Sequence, residues 1–169
     1  LDVCEDILKE GFDAIPHIRT MDHTISSITE RIESLMELGL KSVLLISGDS
    51  PANPFHTTHR TTPIVLSQHL QKKLPKLTVY TGMDPYRASF KDEISYCKQK
   101  LTAGSSGFFT QPLFETLLTE RIIDHLGDTT SLFIGLSPVL NLRSKHYWEN
   151  QNKVVFQTDF KLRLDFNIN

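Results

Sequence analysis

The chain has no glycine-rich phosphate loop: neither G-x-G-x-x-G nor G-x-x-x-x-G-K-[ST] occurs in its 169 residues. That removes the usual signature of doubly wound dinucleotide binders and of P-loop enzymes. Cysteine is scarce. Cys4 and Cys97 are the only two and lie far apart, which argues against a disulfide framework or a thiolate metal site. With no signal-like segment at the start, a reducing cytoplasm is the expected setting. No run of Lys and Arg offers an electrostatic footprint for nucleic acid. No apolar stretch approaches the roughly 18 residues of a membrane span.

What is present is the balance of an ordinary globular domain, 39% hydrophobic and 22% charged with a formal charge of -2. A single domain of this length buries roughly two-thirds of the surface its unfolded chain exposes. The chain starts at Leu1 without a methionine, and Leu1 to Glu10 reads as a helix already under way. The expectation is therefore that residues precede Leu1 in the native protein.

A short apolar run, a polar loop and an amphipathic helix then alternate along the chain. Ala14–Ile18 reads as the first strand. Thr24–Leu38 follows as a helix, with Ile25, Ile28, Ile32 and Leu35 on one face, Ser27 and Glu30 at capping-box spacing, and Gly39 as its stop. Val43–Ile46 is apolar on both faces of a pleat, as buried parallel strands are. Pro63–Lys73 reads as a helix with proline in its first turn, and Leu77–Tyr80 as a strand. Ser89–Thr102 is the next helix, its stripe being Phe90, Ile94, Cys97 and Leu101. Gly107–Thr110, Leu132–Leu136 and Val154–Phe156 read as strands, and Phe114–Leu126 and Arg143–Asn150 as helices. The tail 157–169 alternates too weakly to place. Alternating β and α elements predict an α/β fold with a parallel sheet. Without a phosphate loop, a TIM-like (β/α)8 barrel lacking its first one or two strands is the expected form.

In such barrels the site lies at the carboxyl ends of the strands. The residues there are His17; Ser47, Gly48 and Asp49; Tyr80, Thr81, Gly82 and then Asp84; Thr110 and Gln111; and Ser137. Neutral hydrogen-bonding groups dominate, which suits a large heterocycle read by its edges. Each has a plainer reading as well. Gly48 permits a tight turn, Asp49 caps it, and Tyr80 serves as a core aromatic. Gln111, between an apolar strand and Pro112, needs a partner for its amide, and a ligand is a good candidate. His56 and His59 have no third ligand at metal spacing, so no metal is expected.

Five segments carry a resemblance. They are Ile15-Pro16-His17-Ile18, Leu45-Ile46-Ser47-Gly48-Asp49, Lys100-Leu101-Thr102-Ala103-Gly104, Phe109-Thr110-Gln111 with Phe114, and Gly135-Leu136-Ser137-Pro138-Val139-Leu140-Asn141. In order and spacing they are similar to those of the methylenetetrahydrofolate reductase family.

The resemblance implies noncovalent FAD, reduced by NADH or NADPH, and a folate substrate, methylenetetrahydrofolate, that becomes methyltetrahydrofolate. It implies flavin contacts at His17, Ser47, Gly48, Asp49, Tyr80, Glu93 and Lys100, with Lys100 suited to the diphosphate. Asp49 would also touch the pterin, as the catalytic residue within this segment, and Gln111 would bind folate. The expected assembly is a homo-oligomer that touches neither nucleic acid nor membrane.

Four positions depart from the family pattern. Ser47 stands where an Arg is usual, Asp84 where a His is frequent, Gln99 where an Arg would meet phosphate, and Ser144 where a second glutamine lies near the folate. The family's proton-donating glutamate, in a Phe-Glu-Phe-Phe-Pro-like motif, has no counterpart here and is expected before Leu1. Two alternatives stay open: a non-catalytic relative kept as a binding or assembly subunit, and a flavin-free pterin methyltransferase barrel.

Overall fold

A computed structural model describes residues 1–49, 51, 53, 55–127, 130–156 and 160. Five parallel strands form one sheet in sequential order: β1 (His17–Arg19), β2 (Ser42–Ile46), β3 (Thr78–Met83), β4 (Gly107–Pro112) and β5 (Ser131–Gly135). Six helices accompany them: α1 (Asp2–Lys9), α2 (Ile25–Glu37), α3 (Pro63–Lys73), α4 (Phe90–Thr102), α5 (Thr116–Leu126) and α6 (Leu142–Asn152). A doubly wound sheet reverses its strand order at a switch point. The order here is sequential, with no such reversal among the described residues. Among the described residues the sheet is open, with β1 and β5 at its edges.

Strand alternation divides the side chains between two faces. Ile18, Val43, Leu45 and Val79 point to the helices and pack with Ile28, Ile32 and Leu35 of α2 and with Leu66 and Leu70 of α3. Met83 and Phe108 do the same with Ile94 and Cys97 of α4 and with Ile122 and Leu126 of α5. Each such buried side chain contributes roughly 1.5–3 kcal/mol. The opposite face is aromatic. Phe109 stacks on Phe133 at 4.2 Å, Tyr80 meets both edge-on, and the His17 ring lies 6.2 Å from Phe109.

Three sequence expectations are corrected. The cap of α2 is Thr24, whose side chain accepts from the Ser27 amide, so the Ser27–Glu30 box does not form. Thr24 wins because the chain is still extended at that residue, leaving the first orphan amides ahead of it. Val154–Phe156 is not a strand. It follows the left-handed Lys153 and buries Val154 and Phe156, the latter against Phe114. An apolar triplet serves such docking as well as it serves a sheet. Finally, β3 runs on to Met83, so Tyr80 lies within the strand rather than at its end. Most of the 157–169 tail lies outside the described residues, and no helix among those described is long and apolar enough to cross a membrane.

Cys97 is fully buried, and burial pushes its thiol up to about 12. Since only the thiolate attacks, a disulfide reagent at pH 8 is expected to label one thiol quickly, on the partly exposed Cys4. Cys97 should react only after denaturant is added. Rapid labelling of both in the folded protein would contradict this packing. The proton Cys97 retains also favours folding. That contribution is complete below the unfolded value of 9 and is lost as pH climbs from there towards 12.

Candidate functional site

A cleft of about 420 Å³ opens at the carboxyl ends of β1 to β4. It gathers His17 from β1, Ser47, Gly48 and Asp49 after β2, Gly82 and Asp84 from the end of β3, and Thr110 and Gln111 from β4. Arg87, Glu93 and Lys100 line it from the β3–α4 loop and from α4. Parallel pairing is the cause of this convergence. His17, Ile18 and Arg19 lie beside Leu44, Leu45 and Ile46, and Met83 beside Thr110, so successive strands end level with one another.

Two glycines at the cleft let neighbouring side chains pack directly on the backbone. Gly48 has φ of +83°, and a Cβ there would overlap the Arg19 side chain. The Arg19 guanidinium crosses that glycine to donate to the Asp49 carbonyl, and its other terminal nitrogen lies 3.6 Å from Asp22. A Cβ on Gly82 would press on Ile46 at 3.2 Å. Gln111 is exposed, and Thr110 Oγ1 accepts from the Gly135 amide at 3.0 Å.

Beneath the cleft lies a charged cluster of Glu93, Lys100 and Arg87; the resemblance named the first two, but neither their burial nor Arg87. The side chain of Glu93 is wholly buried. Its Oε1 accepts from the Asp84 amide at 3.1 Å and lies 3.8 Å from Lys100 Nζ, while its Oε2 holds Arg87 at 2.6 Å. Lys100 donates to the Gly82 carbonyl at 2.6 Å and sits 4.1 Å from the Tyr96 ring centre. Burial lowers the Lys100 pKa, partly offset by the carboxylate of Glu93. The buried face of α4 is thus Glu93, Ile94, Cys97 and Lys100, whereas Phe90 and Leu101 are only partly buried. Charged residues seven apart on a helix suggest solvent. The signal that would have shown their burial is their phase, because both fall on the same face as Cys97.

The remaining expected residues fall outside the cleft lining. Tyr80 packs one layer lower among Phe109 and Phe133. Ser144 completes a capping box with Asn141 at the start of α6. His56 bonds to Asp22 at 2.9 Å, and no group of three candidate metal ligands occurs among the described residues.

A family model described as methylenetetrahydrofolate reductase matches residues 3–165. The chain belongs to the methylenetetrahydrofolate reductase family. A probable methylenetetrahydrofolate reductase (NADPH) of Caenorhabditis elegans is 23% identical over 143 residues, covering 79% of this chain and 22% of that protein. A 5,10-methylenetetrahydrofolate reductase of Buchnera aphidicola (subsp. Schizaphis graminum) is 21% identical over 150 residues, covering 86% and 51%. This chain therefore spans about half of the bacterial relative and less of the animal one.

Solved structures show the fold alone. Oxaloacetate acetylhydrolase in complex with oxalate aligns with a TM-score of 0.63 at 12% identity, over 85% of this chain and 54% of that one. The 2,3-dimethylmalate lyase of the PEP mutase/isocitrate lyase superfamily gives 0.60 at 12%, with the same coverage.

Proposed function

We propose that this segment is the flavin- and folate-binding part of a reductase that converts methylenetetrahydrofolate to methyltetrahydrofolate with NADH or NADPH. One observation carries the reading: His17, Gly48, Asp49, Lys100 and Gln111, far apart in sequence, line a single cleft. FAD, held noncovalently, would supply the hydride relay, and the protein supplies position and electrostatics.

The residues present fit that group in kind. The donor set of His17, Ser47, Thr110 and Gln111 matches a heterocycle's edge. The Asp49 carboxylate beside the ring would disfavour an anionic reduced form and so tune hydride transfer. Gln111 would hold the pterin by its amide. Glu93 is already held within the cluster below, so its part in binding is to fix the cleft wall. We read the five strands as part of an eight-stranded barrel, in a cytoplasmic homo-oligomer. A carboxylic acid for protonating the folate nitrogen is not assigned within this segment, and turnover is a property we propose for the whole protein.

Absorbance of the protein purified without added cofactor, then titrated with FAD, tests the reading. Flavin bands with saturable binding are expected. Colourless protein that takes up no FAD at micromolar concentrations would move the assignment to a flavin-free pterin binder or a non-catalytic relative. In full-length protein, Gln111→Ala is expected to slow folate reduction while leaving flavin reduction by nicotinamide nearly intact. Losing one amide paired with a buried heterocycle costs about 1–3 kcal/mol. Stopped flow separates the two half-reactions, and an equal loss in both would make Gln111 structural.

A further inference from the structure

We propose that the groove between α4 and α5, on the helix side of the sheet, is a second binding site that takes a small organic dianion with an apolar body. The site stands apart from the cleft and does not depend on the flavin reading. Its volume, about 460 Å³, is in the range of small-ligand sites. Phase on α4 separates it from the Glu93 cluster. Lys91 and Lys98 stand two residues before Glu93 and Lys100 respectively, so the helical turn carries them to roughly the opposite side. Being seven apart, they share one face and lie about 10 Å from each other along the axis. The buried Ile94 lies between them, and the partly buried Phe90 completes an apolar floor.

The other wall comes from α5, and its two lining groups are already fixed. The Arg121 guanidinium carbon sits 4.3 Å from the Phe90 ring centre. The His125 ring meets Phe90 edge-on at 5.3 Å, and its Nδ1 donates to the Arg121 carbonyl at 2.8 Å. Stacking occupies the face of a guanidinium and leaves the N–H groups at its edges free to donate. Arg121 therefore meets an anion with little further loss of freedom. Charge decides the occupant. Lys91, Lys98 and Arg121 put three fixed positive charges into a lining that holds no carboxylate, on a chain of formal charge -2. Asp92 is turned to the Ser89 hydroxyl at 2.6 Å, and Glu120 and Asp124 lie outside the lining. Among the described residues none of the three cations has a carboxylate in ion-pair range, whereas Lys9, Arg31, Lys73 and Lys145 on other helices all do. Cations at both ends of an apolar floor are matched by a ligand with an acid at each end and carbon between.

Titration calorimetry of the full-length protein with naphthalenedicarboxylate tests this. Two controls divide the ligand: naphthalenedimethanol keeps the apolar body without the charge, and a hexa-aspartate peptide keeps the charge without the body. The dicarboxylate should bind in the millimolar range or tighter, and both controls about 10-fold more weakly or not at all. Lys98→Gln combined with Arg121→Gln should weaken the dicarboxylate about 10-fold, the loss of two exposed charged contacts. Arg121→Lys alone, which keeps the charge, should retain most of the affinity and covers the case in which the double variant misfolds. Raising salt from about 0.05 M to about 0.5 M should weaken binding several-fold. The double variant should leave the FAD titration of the cleft unchanged. Equal affinity for the diol and the dicarboxylate overturns the site, as does dicarboxylate binding that ignores the double variant, or none in wild type. Tighter binding of hexa-aspartate overturns it too, because the groove would then read an acidic chain. Dicarboxylate binding that depends on Lys98 and Arg121, in a protein that takes up no FAD, sinks the reductase reading and leaves the groove standing.

Discussion

Replacing Glu93 by leucine is expected to destabilise the protein by about 3–5 kcal/mol, the cost of breaking a buried ion pair from one side. The side chain is wholly buried and serves the Asp84 amide, Lys100, Arg87 and, at 3.9 Å, the Cys97 thiol. Arg87 can turn to water, being about half exposed. Lys100 cannot. Its ammonium would keep the Gly82 carbonyl and the Tyr96 ring but lose its one buried counter-charge. With a denaturant slope of about 2 kcal/mol per molar urea, the unfolding midpoint should fall by roughly 2 M.

The decisive measurement is the double variant. If the loss comes from the stranded ammonium, Glu93→Leu with Lys100→Met should recover most of it, since buried pairs replaced by apolar groups are often neutral. Additive losses would mean that Glu93 acts through the Asp84 amide and the β3–α4 loop. The pH dependence carries a sign that can be checked. Burial lowers the Lys100 pKa below 10.5, so the folded state sheds this proton before the unfolded chain does. Removing Glu93 deepens that shift. In Glu93→Leu, stability should therefore rise as pH climbs through the interval between the folded value and 10.5, more than in wild type.

The contrast between Glu93 and Gly48 explains what was legible in the sequence. Strand ends carry short motifs because the backbone there must turn, and a turn leaves a mark such as Gly48 after an apolar run. The helix stops at Gly39 and Gly104 were equally plain, both at φ of +101°. The cleft residues His17, Asp49 and Gln111 could be found in this way, and parallel register did the rest. The Glu93 cluster could not be found from strand ends: the resemblance named Glu93 and Lys100, but not their burial or Arg87. Its members sit on α4 and the loop before it, and what unites them is a three-dimensional arrangement of partners. A charged residue on a helix announces solvent unless its neighbours' phase is read as well. Phe114 failed for a related reason: apolar and next to Leu113, it extended the predicted helix backwards, whereas α5 begins at Thr116 and Phe114 packs on Trp148 and Phe156.

Gly107→Ala is expected to cost roughly 3 kcal/mol, at the upper end for overpacking. At this residue β4 pairs with Ser131 of β5 and Tyr80 of β3, so neither flank is open. A Cβ would overlap the Ser131 carbonyl oxygen and come within 2.9 Å of the Ser131 Cβ and 3.0 Å of its carbonyl carbon. Side chains can rotate away, but a backbone oxygen in a ladder moves only with its strand. β5, which pairs only with β4 among the described residues, would have to shift outward. That would weaken the Phe109–Phe133 stack at 4.2 Å and the Thr110–Gly135 contact near the cleft. Urea unfolding measures the stability loss, and amide exchange over 131–135 should quicken before that of β2. Adding Ser131→Gly removes the side-chain contact but not the carbonyl, so it should restore little. Full restoration would show that the obstacle is the serine side chain and that the two backbones can part without cost.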